Sequence, residues 1–236
     1  MVNIYKQIAE VYDEFGISDF SVSFGTAILE YLKRVHPNDH FKKNLDICCG
    51  TGKLCNFFKE RGIQTKGVDI SKEMLDIARS KYPDIEFIED DVTQYQDDEQ
   101  YDFITSTDDA IGHFYDVDDL RKVIRNVNKL LRVDGLFIFD IHYFYLHFFE
   151  THKKSLDDFR ELSYDLHKDG KLITFDLECF EKGKLLWKNQ VVERDYSIEE
   201  ITQILNEEGF ILESCSQHFL NEKRHSKWKI VAKKIE

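Results

Sequence analysis

The stretch Asn44-Leu-Asp-Ile-Cys-Cys-Gly-Thr-Gly-Lys-Leu54 runs an apolar segment into a glycine pair and then a helix-like segment. Gly50 and Gly52 let backbone turn sharply and approach a ligand with no Cβ in the way, while the helix start offers free N–H groups. Asp69 stands 17 residues after Gly52, at the tip of the next apolar run, where a carboxylate can accept from both ribose hydroxyls of a nucleoside. Alone, such an Asp does no more than cap the following helix; paired with the glycine loop, it points to a nucleoside. The dinucleotide pattern G-x-G-x-x-G asks for a third glycine, and counting from Gly50 that place is Cys55. NAD or FAD is therefore the second choice of cofactor, and a nicotinamide-dependent oxidoreductase the second enzyme class.

Groups able to handle a proton fall in three regions that an open α/β sheet brings together at the carboxyl ends of its strands. They are Tyr12 near the N-terminus, His113 with Tyr115, and His142 with Tyr143. A histidine takes a proton near neutral pH, and a tyrosine orients an amine by hydrogen bonding. His113 and His142 are the preferred catalytic pair because both follow strands, whereas His147, His152 and His167 read as surface residues. The dense aromatic run Phe139–Phe149 either lines an apolar pocket or anchors the segment that follows it.

The elements that would position these groups are legible in the hydrophobic rhythm. Residues 3–35 read as two helices, the second repeating Phe24, Ile28, Leu29 and Leu32. Short apolar strands at 44–49, 65–69, 85–89, 101–107 and 135–141 alternate with helices at 53–61, 72–82 and 117–132, a pattern of stacked βαβ units. Ser71 and Asp116 supply ordinary helix caps. After residue 155 alternating runs joined at Asp169-Gly170 and Lys182-Gly183-Lys184 read as an antiparallel meander. Ser197-Ile-Glu-Glu200 then forms a capping box for a helix that stops at Gly209, and two strands near 210–216 and 227–233 follow. The expected fold is α/β: a Rossmann-like, mostly parallel seven-stranded sheet with an antiparallel last strand, an N-terminal helical cover and an inserted meander. Residues 1–157 and 197–236 would form the core, and 158–196 an antiparallel β lid subdomain.

Composition narrows the partners. The 236 residues carry 32 Lys+Arg against 45 Asp+Glu, a formal charge of −13 that repels phosphate backbones and anionic lipid heads. No nucleic acid and no membrane are expected as partners, and a monomer or homodimer is. The five cysteines, 48, 49, 55, 179 and 215, show no C-x-x-C pair or zinc spacing, so no metal is expected and a reducing cytoplasm is.

The ordered set of motifs resembles the class I S-adenosylmethionine-dependent methyltransferases, in particular small bacterial ones similar to the sugar N-methyltransferases and to uncharacterised cytosolic methyltransferases. Leu45–Gly52 is similar to the family's first motif, Gly67–Leu75 to its second and Phe87–Val92 to its adenine motif. Tyr101-Asp-Phe-Ile resembles the fourth strand, Leu130–Asp140 the helix and fifth strand, and Ser197–Phe210 the last helix with its terminal Gly-Phe. The resemblance implies that Asp69 holds the ribose hydroxyls, that Asp91 accepts from the adenine amino group beside the Val92 backbone, and that Ile70 and Met74 sandwich the ring. It places Asp46 and the Gly50 backbone near the cofactor's methionine ammonium and sulfonium, and counts Cys48, Thr51, Gly52 and Thr107 among the cofactor contacts. Cys48 departs from the family, which usually has glycine there, and a side chain at that point narrows the φ/ψ options.

Methyl transfer is an in-line displacement in which alignment supplies much of the catalysis, so a dedicated base is optional. Residues 105–115 lack the Asn/Asp-Pro-Pro-Tyr motif of base and glutamine-amide methylating enzymes, and the chain has no Pro-Cys nucleophile. The expected acceptor is a small molecule with a nitrogen or oxygen nucleophile, bound with the help of Tyr115 and Tyr143. A regulatory module that binds the cofactor without turnover is the alternative outside enzymology.

Overall fold

The computed structural model describes residues 5, 7–14, 19–142, 152–155, 157–219 and 226–235. Its main sheet is built from β1 (Lys43–Ile47), β2 (Gln64–Asp69), β3 (Glu86–Glu89), β4 (Tyr101–Ser106), β5 (Leu131–His142), β10 (Phe210–Phe219) and β11 (Ser226–Lys234), in the order β10-β11-β5-β4-β1-β2-β3. β11 pairs antiparallel with both β5 and β10, so it alone runs against the other six, and the expected seven-stranded sheet with an antiparallel last strand is present. Strand order reverses between β1 and β4, and the loops leaving their carboxyl ends, 48–52 and 107–113, face one crevice.

Alternation along the strands sends side chains to two helical layers. Phe137 and Phe139 of β5 pack in the cluster that holds Leu120, Val123 and Val127 of α5 (Val117–Leu130) and Ile201, Ile204 and Leu205 of α6 (Ile198–Glu207). Leu136 and Ile138 pack on the opposite face with Phe20, Phe24 and Ile28 of α2 (Asp19–Val35) and Phe57 and Phe58 of α3 (Lys53–Lys59). By the same period, Asp140 shares the face of Leu136 and Ile138, and Lys227 shares that of Val231 on β11. A buried acid and a buried base are thus brought under α2, on strands that pair Asp140 beside Lys229 and His142 beside Lys227.

A second, antiparallel sheet contains β6 (His152–Ser155), β7 (Arg160–Asp169), β8 (Leu172–Glu181) and β9 (Lys184–Arg194) in chain order. The two central hairpins close as their sequences demand. Lys182 and Gly183 both have positive φ, the geometry of a two-residue turn matched to strand twist. Because β6 pairs with β7, this sheet begins before the boundary expected at residue 158.

Local signals account for most boundaries. Ser71 accepts from the Met74 N–H of α4 (Lys72–Lys81), Asp116 accepts from Asp118 N–H, and Ser197 with Glu200 forms the expected capping box. Three expectations shift. Strand β1 ends at Ile47 rather than 49, because Cys48 turns into the left-handed region. Strand β5 starts directly from α5 at Leu131, absorbing what read as the helix end. Only Ala9–Tyr12 (α1) of the first expected helix is helical among the described residues. No helix there is long and apolar enough to cross a membrane.

Candidate active site

The loop after β1 is shaped by backbone. Cys48 (φ 55°), Gly50 (φ 53°) and Gly52 (φ 76°) all lie in the left-handed region, and Gly52 opens α3. A Cβ on Gly52 would come within 2.5 Å of Phe87 Cζ, and one on Gly67 within 2.7 Å of Cys49 Sγ, so both positions exclude side chains. Cys48 bears the left-handed strain that glycine would avoid, of order 1–2 kcal/mol. Since the strand expected over 44–49 ends at Ile47, Cys48 and Cys49 do not alternate across it.

Asp69 joins this loop to the next one. Its Oδ2 accepts the Gly50 N–H at 2.8 Å and its Oδ1 the Ser71 N–H at 2.8 Å, and burial pushes its carboxyl above the usual range. Beside it, Ile70 leaves 49% of its surface exposed, while Met74 is buried. Asp91 accepts the Thr93 N–H at 2.9 Å, and the Val92 carbonyl is tied to α5 by Asn126 at 3.1 Å. Thr51 donates to Asp13 Oδ1 at 2.8 Å, which holds the end of the first helical segment over the loop. Tyr12 Cε1 lies 4.0 Å from where a Cβ on Gly50 would stand.

That tyrosine also borders a cavity of about 560 Å³ whose lining includes His113, His142, Asp108, Asp109, Glu193 and Lys227. Asp108 and Asp109 turn the chain after β4 with φ of 62° and 59°, and the Asp109 N–H donates to Asp140 Oδ2 at 3.0 Å. Lys227 Nζ reaches Asp109 Oδ2 at 2.7 Å, Asp140 Oδ2 at 3.2 Å and Asp108 Oδ1 at 3.7 Å, and lies 4.0 Å from the Phe20 ring centroid. His142 pairs with Asp109. Burial favours neutral carboxyls here, pushing Asp140 up to about 8 and Asp108 above the usual range. At Asp109 burial acts in the same sense, but His142 and Lys227 together hold it well below that range. Burial likewise opposes the charge of Lys227, yet its three aspartates keep it firmly protonated.

His113 ends a 3₁₀ turn, Ala110–His113, packed against β9. Its Nε2 lies 2.5 Å from the Tyr5 hydroxyl and 3.8 Å from Glu193 Oε1. Burial lowers its pKa, so the ring is neutral, and burial raises that of Glu193, with Asp109 adding to the effect.

Comparisons with known proteins bear on what this crevice serves. A family described as "Methyltransferase domain" matches residues 45–135, the stretch from the glycine loop to the start of β5. A protein of Geobacillus sp. (strain WCH70) that carries a methyltransferase name is 28% identical over 196 residues, 77% of this chain and 78% of that protein. The chain is a class I S-adenosylmethionine-dependent methyltransferase. Solved structures share the fold of this methyltransferase over nearly its full length. The S-adenosylmethionine-dependent methyltransferase of Clostridium acetobutylicum aligns with TM-score 0.82 at 24% identity, covering 99% of this chain and 100% of that one. An amino pentose methyltransferase of Micromonospora echinaspora, solved with S-adenosylmethionine bound, aligns with TM-score 0.76 at 14% identity over 91% of each chain.

The methyltransferase's loop fits its cofactor on structural grounds: two glycines that admit no Cβ or stand in left-handed turns, a carboxylate at the strand tip, and an exposed apolar side chain beside it. Of the residues expected around the cofactor, the structure gathers Cys48, Gly50, Thr51, Gly52, Asp69, Ile70 and Met74 on adjacent turns. Asp46 departs from expectation. It is 2% exposed, accepts from Thr105 at 2.7 Å and faces the Cys55 thiol at 3.6 Å, and burial pushes its carboxyl up to about 7. Strand alternation points it beneath the loop, as a tie between β1, β4 and α3. Thr107 is also buried, donating to Ser21 at 3.2 Å, and Ser21 in turn donates to Asp108 at 2.5 Å.

Tyr12, His113 and His142 do meet at the methyltransferase's cavity. Tyr115 does not: it is 52% exposed, and the chain turns toward α5 before its side chain can reach inward. Tyr143, His147 and the aromatic run beyond His142 lie outside the described residues. Sequence reading missed Tyr5, Asp108, Asp109, Asp140, Glu193 and Lys227. A usable signal was Asp140, a lone acid inside the apolar run Leu136–Ile141, which requires a buried partner wherever it packs.

Proposed function

We propose that the methyltransferase acts on a small acceptor seated in this cavity, transferring the methyl group to a nitrogen or oxygen nucleophile by in-line displacement. The observation that carries the reading is the position of Tyr12, which lines the cavity and stands over Gly50 of the cofactor loop. When bound, S-adenosylmethionine supplies a methyl on a cationic sulfonium, whose carbon–sulfur bond breaks as the bond to the nucleophile forms. In this reading Asp69 holds the ribose hydroxyls, using lone pairs left after its two backbone bonds, and Asp91 with the Val92 backbone receives the adenine. Ile70 and Met74 flank the ring, and Cys48, Gly50, Thr51 and Gly52 surround the methionine end. Asp46 and Thr107 act indirectly, by holding β1 and the turn after β4 in place.

His113 is the proton acceptor best placed for the nucleophile, through Tyr5: the Tyr5 hydroxyl donates to Nε2 of the neutral ring, so it can take the nucleophile's proton on its oxygen as it passes its own to the imidazole. His142, held by Asp109, and Tyr12 orient the acceptor. Phe175, Leu177, Val191 and Glu193 of β8 and β9 line the cavity, which supports a lid role for residues 158–196. Calorimetric titration should show saturable binding of S-adenosylmethionine, weakened about 100-fold by Asp69→Ala through lost charge-assisted hydrogen bonds. A screen of amine, hydroxyl and thiol acceptors should reveal turnover. Wild-type protein that binds no cofactor would sink the proposal, and binding without turnover on any acceptor would favour the regulatory module.

A further inference from the structure

We infer that the acceptor is an apolar-bodied ammonium whose charge is received by Glu193. The inference rests on the acceptor-cavity reading above and names the class of molecule that the cavity takes. On β9, Val191 and Glu193 are two residues apart and share a face, so a carboxylate adjoins an apolar wall that Phe175 and Leu177 extend from β8. Glu193 is 8% exposed, and its Oε1 lies 3.8 Å from His113 Nε2. A nitrogen set against this pair can donate to the carboxylate and to the Tyr5 hydroxyl oxygen, whose own proton is held by His113 Nε2.

Acidic groups outnumber basic ones on the described lining, and an ammonium beside Glu193 would offset the burial that otherwise favours its neutral carboxyl. Asp19, Asp108, Asp109 and Glu193 contribute carboxyls, against Lys227 and two histidines. Lys227 is engaged by three aspartates, His142 by Asp109, and His113 is neutral. An anionic acceptor would meet acid with no uncommitted cation among these residues, and a neutral alcohol would leave Glu193 buried with less to offset its desolvation. The apolar wall, in turn, favours a hydrocarbon or aryl body over a densely hydroxylated one.

The test uses phenethylammonium and its isosteres 2-phenylethanol and 3-phenylpropionate as probes, each titrated into full-length protein saturated with S-adenosylhomocysteine. Wild-type protein should bind the ammonium about tenfold or more tighter than the alcohol, and the carboxylate weakest. Glu193→Gln should bring ammonium and alcohol within about twofold of each other, while Glu193→Asp keeps part of the preference. S-adenosylhomocysteine affinity, unchanged in both variants, reports that they are folded. No preference for the ammonium in wild-type protein, or a preference that survives Glu193→Gln, overturns the inference while leaving the methyltransferase reading intact. Failure of S-adenosylhomocysteine itself to bind would bring down both.

Discussion

The two halves of the crevice are built by opposite means. The cofactor loop is contiguous, and its shape is set by backbone: left-handed turns at residues 48, 50 and 52, N–H groups converging on Asp69, and glycines where a Cβ would strike Phe87 or Cys49. The acceptor cavity is assembled from side chains far apart in sequence. Tyr5 meets His113 across 108 positions, and Lys227 on the last strand neutralises acids on the turn after β4 and on β5. A backbone site tolerates drift in most side chains but few changes of φ; a charge cluster tolerates backbone adjustment but not the loss of one partner.

The sharpest way to break that contrast is to remove the shared cation. Lys227→Met should destabilise the protein by about 3–5 kcal/mol, because Asp108, Asp109 and Asp140 would be left buried without it. Urea midpoints measure this, and a loss under about 1 kcal/mol would mean that the acids are already neutral as a group.

On the acceptor side, His113→Ala should lower turnover about 100-fold with cofactor affinity unchanged. Undiminished turnover would remove His113 as a base and leave alignment alone as the source of catalysis.

A pH series separates the halves further. Folding holds the Asp46 carboxyl at about 7 rather than its ordinary 3.8, so from about pH 4 to 7 the folded chain keeps a proton that the unfolded chain has released. Stability from this group therefore falls as pH rises through that window. Asp46→Asn should remove the slope, gaining about 3 kcal/mol relative to wild type between pH 5 and pH 8, read from urea midpoints at each pH. An unchanged difference between the two pH values would show that Asp46 is ionised where it lies.

The smallest effect belongs to the loop. Cys48→Gly relieves a left-handed side chain but frees the unfolded backbone and removes some packing, so a net gain below about 1 kcal/mol is expected in thermal melts. A clear loss would place the thiol's packing above its backbone strain.

The same contrast explains what could be read from residues alone. Asp69, Gly50 and Gly52 declare themselves because their roles follow from neighbours in the chain, and the sheet follows from βαβ rhythm and short caps such as Ser71 and Asp116. Glu193 and Lys227 carry no local mark: each is one charge on a strand of mixed composition, and its burial depends on which element crosses above it. Tyr115 misled for the same reason, since a position just after a strand says where the backbone is and not which way the side chain turns. Asp46 sits within the right motif, but strand alternation buries it beneath the ligand side.

The meander enters the chain between β5 and α6, and Phe175, Leu177, Val191 and Glu193 are its contribution to the cavity. None of these four takes part in the bonds that hold residues 48–52 and Asp69 together. One wall of the active site is consequently a replaceable panel: acceptor range can be rewritten on β8 and β9, by natural drift or by design, in a chain whose methyl-donor half keeps every one of its contacts.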